Sequence, residues 1–253
     1  MIVRFTTNLS SLPKISMSKP FTDPSVRLDF YVSHTLGLSR KEAKVRIGRG
    51  LIKVNGEEVK KANRIVTADD DVFFLDEQLS WPREKYFVMN KPVGFVCATE
   101  DSEHAVVLDL IAQPDLKDLR VVGRLDIDTT GLLLLTTDGQ WLHRITSPKS
   151  QCPKQYRVWT SDPVTDEAIE NLCQGVQLNN EEGLTAPAEV ERVDENQILL
   201  TISEGKYHQV KRMLAATGNR VVQLHREKIA SLSLAGLEEG AYRPLTDAEV
   251  ALF

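Results

Sequence analysis

The longest near-continuous apolar run in the chain, at positions 131–135, is only five residues long. A membrane-spanning helix needs about 20 apolar residues. The run therefore reads as a strand, and the core has to be built from many short elements. Hydrophobic residues make up 42% of the 253 positions and charged residues 26%, the balance of a soluble globular protein. That balance excludes a wholly disordered chain, a collagen-like repeat and a disulfide-rich mini-protein. The length predicts one large domain plus a small one. Cys97, Cys152 and Cys173 are odd in number and form no CxxC pair, so neither a zinc ribbon nor a disulfide framework is expected. Free thiols fit a reducing, cytoplasmic setting.

Charge divides the chain. Between Arg27 and Arg64 there are ten Lys and Arg against four Asp and Glu, a local net of +6 in a chain of net −5. A basic module on an acidic body suits docking to a polyanion, although a solvated lysine-rich helix face has the same composition. Residues 1–25 lack periodicity and a signal-peptide core, which predicts a flexible tail with Met17 as an alternative start.

The basic segment has its own punctuation. Leu28, Tyr31, Val32 and Leu36 recur at helical spacing, and Gly37 stops that helix. Ser39 and Glu42 form a capping box for a second helix running towards Arg49. A strand over 51–54, an Asn55-Gly56 turn and a return over 57–59 complete a compact unit at 26–76. Arg27-Leu28-Asp29, Leu38-Ser39-Arg40 and the run from Gly50 to Gly56 resemble the alpha-L RNA-binding module, two helices on a small sheet. The resemblance implies RNA contacts from Arg27, Ser39, Arg40, Lys41, Lys44, Arg46, Arg49 and Lys53. Long cations on a short helix suit successive phosphates of a folded RNA.

Residues 77–84, with Pro82, read as a linker. Beyond it, strands are predicted at 86–89, 95–97, 121–123, 132–136, 156–159 and 198–202, with a turn at 90–94. Helices are predicted at 106–111, 140–145, 166–173, 208–216 and 247–252, the last opened by a Thr246–Glu249 capping box. Strands and helices do not alternate regularly. The expected fold is therefore α+β around a large, mostly antiparallel mixed sheet, not a doubly wound parallel sheet.

Two stretches carry chemistry. In the loop after the 121–123 strand, Gly123, Arg124, Leu125, Asp126 and Asp128 place a cation and two carboxylates between apolar strands. An acidic loop residue is commonly just solvated, and a glycosidase-like carboxylate pair is a weaker alternative. In the second stretch, Val210, Met213, Leu214 and Thr217 form an apolar helix face. His208, Lys211, Arg212 and Ala215 share another side. Such a helix is otherwise simply amphipathic with basic surface residues.

Together with Lys154-Gln155-Tyr156 and Asn90-Lys91-Pro92-Val93-Gly94, these stretches resemble the pseudouridine synthases, and within them the RsuA branch, which modifies small-subunit ribosomal RNA. The resemblance runs from about Arg27 to Phe253. It implies Asp126 as nucleophile, Lys211 as its basic partner and Tyr156 as the residue stacking on the base, a tyrosine otherwise read as core packing. It implies substrate contacts from Arg124, Leu125, Gln209 and Val210 and an RNA contact from Arg212. Arg124 would fill the space of a flipped base or grip phosphate. Whether Asp126 attacks the ribose or the base stays open. Isomerisation of uridine moves no electrons to a carrier, in keeping with the missing dinucleotide fingerprint, phosphate loop and metal cluster, so no cofactor is expected. His208 and His225 have no suitably spaced carboxylate or cysteine, which favours RNA contact or packing over metal binding. The expected partner is small-subunit ribosomal RNA, free or in an assembling particle, with no membrane and no need for more than a monomer. The alternatives are a large-subunit RNA enzyme of the same branch and a non-catalytic RNA-binding or ribosome-assembly protein. A buried Asp126–Lys211 ion pair is expected.

Overall fold

The computed structural model describes residues 25–80, 84–111 and 118–253. Most of the expected tail, including Met17, and part of the expected linker lie outside the described residues. The basic module comprises β1 (Ser25–Arg27), α1 (Leu28–Thr35), α2 (Arg40–Gly48), β2 (Ile52–Val54), β3 (Glu57–Glu58), β4 (Ile65–Thr67), β5 (Val72–Phe74) and β6 (Glu77–Gln78). Leu28, Tyr31 and Val32 from α1 meet Ala43 and Ile47 from α2 over Ile52, Val54, Val66 and Val72, all buried. The Ser39–Glu42 capping box forms as expected: Ser39 Oγ accepts from the Glu42 amide, and the Glu42 carboxylate accepts from the Ser39 amide. Glu77 and Gln78, expected in the linker, instead pair antiparallel with β5. Leu79 then packs into the module's core and its carbonyl accepts a 2.8 Å hydrogen bond from the Tyr31 hydroxyl.

The larger body contains β7 (Tyr86–Lys91), β8 (Arg120–Val122), β9 (Thr130–Thr136), α3 (Gly139–Thr146), β10 (Lys154–Thr160), α4 (Asp166–Gln174), β11 (Glu189–Asp194), β12 (Gln197–Ile202), α5 (Gln209–Ala216), β13 (Val221–Ile229), β14 (Leu232–Ser233), β15 (Tyr242–Pro244) and α6 (Asp247–Val250). Its sheet runs β11-β12-β10-β13-β9-β7-β15, with β8 on β9 and β14 on β13. The β9–β13 pair is parallel; the other pairs are antiparallel. This is the mixed, mostly antiparallel sheet expected. Strand β13 joins two half-sheets, β11-β12-β10 and β9-β7-β15.

The apolar run lies on β9, where Leu132–Leu135 are fully buried on both faces. Leu133 and Leu135 enter one core with Val158, Leu200, Met213 and Leu214. Leu132 and Leu134 enter a second core with Trp141, Ile145 and Ile229. A strand buried on both sides reads as a continuous apolar stretch, whatever its pairing.

Several local expectations differ. Asn90 and Lys91 belong to β7, not to a turn. Residues 95–97 form no strand and make a single bridge, Val96 to Val106. The expected helix at 106–111 is a 3-10 segment, Val107–Leu110. Strand β13 was not anticipated, because Gln223, His225, Arg226, Glu227 and Lys228 interrupt its apolar alternation. No helix among the described residues is long and apolar enough to cross a membrane.

Candidate active site

The loop from β8 to β9 is built to be held still. Leu125 is buried in the main core, and its amide lies 3.4 Å from Cys97 Sγ. The Thr129 amide closes a turn onto the Asp126 carbonyl at 3.1 Å, and the Gly94 amide donates to the Ile127 carbonyl at 2.8 Å. Beneath the loop the fully buried Lys91 Nζ donates to three carbonyls, those of Pro92 (2.9 Å), Thr129 (2.9 Å) and Ile127 (3.4 Å). Burial pushes the Lys91 ammonium below its ordinary pKa, against smaller opposing pulls from Cys97, Asp128 and Asp126. At the loop's exit, Gly131 lets β9 approach β13: a Cβ there would lie 2.3 Å from the Arg226 carbonyl, with φ at +108°.

Helix α5 faces this loop from the other half-sheet. Lys211 Nζ lies 3.0 Å from Asp126 Oδ2 and 2.6 Å from Asp128 Oδ1. His208, in a left-handed conformation immediately before α5, brings Nε2 to 3.4 Å from Asp126 Oδ1. Burial opposes the Lys211 charge, but the two carboxylates outweigh it and hold this ammonium above its ordinary pKa. The same hydrogen bond, ahead of a smaller opposing effect of burial, holds Asp128 below the usual carboxylate range. The expected two-membered buried pair is thus a four-membered, half-buried cluster. The side chains of Asp126 and Lys211 are 26% and 27% exposed, and Asp128 is 65% exposed. The loop leaves the carboxylates at the mouth of a cleft, where water reaches them.

That cleft has a volume of about 860 Å³ and is bordered by Arg124, Leu125, Asp126, Tyr156, Lys211 and Arg226 among others. Tyr156 on β10 is buried, with its hydroxyl 3.5 Å from Arg226 Nη1. Arg124 is exposed, whereas Leu125 is mostly core. Val210 and Gln209 also border the cleft but are buried. The Gln209 amide is committed to the protein: Oε1 accepts from the Lys206 amide at 2.7 Å and Nε2 donates to Glu204. Arg212 is bound by Glu181 at 3.1 Å and by the carbonyls of Tyr207 and Asn179. His225 pairs with Thr130 Oγ1 at 2.8 Å. Arg226, buried in the cleft wall, went unnoticed in the sequence, where a lone arginine inside an unpredicted strand gives no signal.

In the basic module, several candidate RNA-binding side chains serve the fold. Arg27, Arg40 and Lys44 converge on the buried Asp29 at 3.1, 2.8 and 3.9 Å. Burial alone would raise the Asp29 pKa; the hydrogen bonds and charges of Arg27 and Arg40 together lower it. Ser39 is engaged as a cap. Lys53 lies 3.7 Å from Asp76. Lys41 and Arg49 are exposed and Arg46 is half-buried, all on or beside α2.

Comparison with known proteins finds relatives of the whole described chain. The profile of the RNA pseudouridylate synthase family covers residues 85–216, and that of the S4 domain covers residues 26–72. The chain is 46% identical over 227 residues to the ribosomal small subunit pseudouridine synthase A of Haemophilus influenzae, spanning 89% of this chain and 98% of the relative. It is 48% identical over 228 residues to the protein of that name from Escherichia coli K12, spanning 89% and 99%. A crystal structure of a pseudouridylate synthase superposes with a TM-score of 0.65 at 45% identity, covering 90% of this chain and all of that one.

Proposed function

Since this chain belongs to the RNA pseudouridylate synthase family, we propose that it converts a uridine of small-subunit (16S) ribosomal RNA to pseudouridine, with Asp126 as nucleophile. The relatives' shared name supports the small-subunit target. One observation carries the chemical reading: an aspartate at the mouth of a cleft large enough for a nucleoside, ion-paired by Lys211 at 3.0 Å, with Tyr156 on the cleft wall.

The reaction breaks the bond from uracil N1 to ribose C1′ and makes one from C5 to C1′. C5 loses its proton to solvent, and N1 gains one. The target base has to leave its stack to reach a loop carboxylate. A nucleophile must be ionised, and the Lys211 ammonium lies 3.0 Å from the Asp126 carboxylate. Tyr156 offers a stacking surface, worth about 1–3 kcal/mol on other aromatic platforms. Exposed Arg124, next to the nucleophile, suits the vacated stack or a phosphate. Lys41, Arg46 and Arg49 supply phosphate contacts outside the cleft, which raise the effective concentration of the target without new chemistry.

The test is tritium release from 16S RNA labelled at uracil C5, followed by mapping of the product. Wild type is expected to release tritium from one uridine and Asp126→Asn to release none. Release from large-subunit RNA alone would overturn the target, and no release from any ribosomal RNA or precursor particle would make this a binding protein.

A further inference from the structure

Arg226 is 2% exposed and borders the cleft. Its Nε donates to the Leu132 carbonyl at 2.7 Å, and its Nη1 has a long contact, 3.5 Å, to the Tyr156 hydroxyl. Its Nη2 is buried and finds no acceptor among the described residues. No carboxylate among the described residues pairs with this guanidinium. Its neighbour Lys154, which also borders the cleft, donates a hydrogen bond to the Cys152 carbonyl at 2.7 Å and adds a like charge. A buried arginine with an idle donor costs stability. A donor left idle in a cleft wall is placed to meet an acceptor brought in by a ligand.

The guanidinium sits at the hydroxyl end of the Tyr156 ring, its Cζ 6.0 Å from the ring centroid. The rim of a uracil stacked on that ring carries carbonyl oxygens, which are acceptors. Both open routes push electrons there. Attack on C1′ sends the N1–C1′ electron pair into the base, and attack on C6 forms an enolate. In either case negative charge grows on the carbonyl oxygens.

We propose that Arg226 is a further catalytic residue of this site, donating from its free guanidinium edge to a carbonyl oxygen of the extruded uracil and binding it more tightly as the base becomes anionic. This rests on the reading of the cleft given above. A preorganised donor that is itself shielded from water, as Arg226 is, acts mainly on the transition state when aimed at developing charge. A donor-only group facing O4 also rejects cytosine, whose amino group there is itself a donor.

The test is Arg226→Met in the full-length enzyme, read by single-turnover rate, RNA affinity and melting temperature on the same RNA. The expected rate loss is about 10²–10³-fold, with RNA affinity within about three-fold. The melting temperature is expected to fall by no more than a few degrees, because loss of the hydrogen bond to the Leu132 carbonyl is largely offset by replacing a buried, incompletely paired cation with an apolar chain. A rate loss under ten-fold, or one accounted for by the fraction unfolded, overturns the proposal. Wild type supplies a second measurement that needs no variant: 2-thiouridine or 4-thiouridine at the target position weakens one acceptor. At least one is expected to slow turnover ten-fold or more relative to uridine, and a smaller effect from both overturns the assignment. Wild-type turnover of unmodified RNA, run alongside, carries the reading of the site itself. An active wild type matched by an equally active variant therefore condemns Arg226 alone.

Discussion

Lys91→Met removes a cation that ties the β8–β9 loop to the sheet. Its ammonium donates to Pro92, Ile127 and Thr129, which span the strand end and the far side of the Asp126 turn. Two of these bonds are 2.9 Å and one is 3.4 Å, so about two full charge-assisted hydrogen bonds are at stake. Each contributes about 1.5–3 kcal/mol, a gross loss of roughly 3–6. Methionine fills similar space and removes the cost of burying a charge, a cost visible in the depressed pKa of Lys91. The expected net destabilisation is about 2–4 kcal/mol. For a domain of this size 1 kcal/mol corresponds to roughly 2–4 °C, so the melting temperature should fall by about 5–15 °C. Under conditions where the variant is folded, tritium release should still fall at least ten-fold, because the Asp126 turn has lost its anchor. Urea unfolding and single-turnover kinetics on the same preparations check both limbs. A variant within about 1 kcal/mol of wild type and fully active would refute the view that this lysine positions the loop.

Lys211→Met should lose turnover at least a hundred-fold while costing only about 1–2 kcal/mol in urea unfolding, because water already reaches the cluster; a loss of 4 kcal/mol would mean the pair is deeply buried after all. Glu249, bonded by Arg243 at 2.7 Å, is pulled down to about 2 from an unfolded value of 4.5. Its contribution is complete above pH 4.5 and disappears as pH falls from there through about 2, so the stability gap between wild type and Glu249→Gln, about 1–2 kcal/mol after allowing for partial exposure, should close over that window. Reversing Lys41 and Arg49 to Glu together should leave the melting temperature within a few degrees and shallow the salt dependence of 16S RNA binding by about one to two phosphate contacts; an unchanged slope would place the RNA elsewhere.

The sequence exposes features whose cause is local. The Ser39–Glu42 and Thr246–Glu249 boxes each satisfy helix-end amides with residues three apart, so four letters suffice to read them. The apolar run of β9 and the amphipathic α5 announce their burial in the same way. Asp126 and its pairing with Lys211 were legible through a family resemblance, but the part played by Asp128 and His208 was not, because it needs two chain segments 83 positions apart to meet. What stayed hidden depends on distant company. Strand β13 carries charged residues because Arg226 finds the Leu132 carbonyl and His225 finds Thr130, and those contacts have no trace in the strand itself. Arg27, Arg40 and Lys44 are candidate RNA contacts in the sequence, and nothing in the chain order reveals that they also pair with an Asp29 buried beneath them.

The place of β13 between the two half-sheets has a consequence for the protein's own birth. Asp126 leaves from one half, Tyr156 and Lys211 belong to the other, and the staple between them comes near the end of the chain. A nascent polypeptide still short of Val221 holds Asp126, Tyr156 and Lys211 but lacks the strand that joins their half-sheets. The cleft between the two half-sheets is therefore expected to close up only when translation is nearly finished.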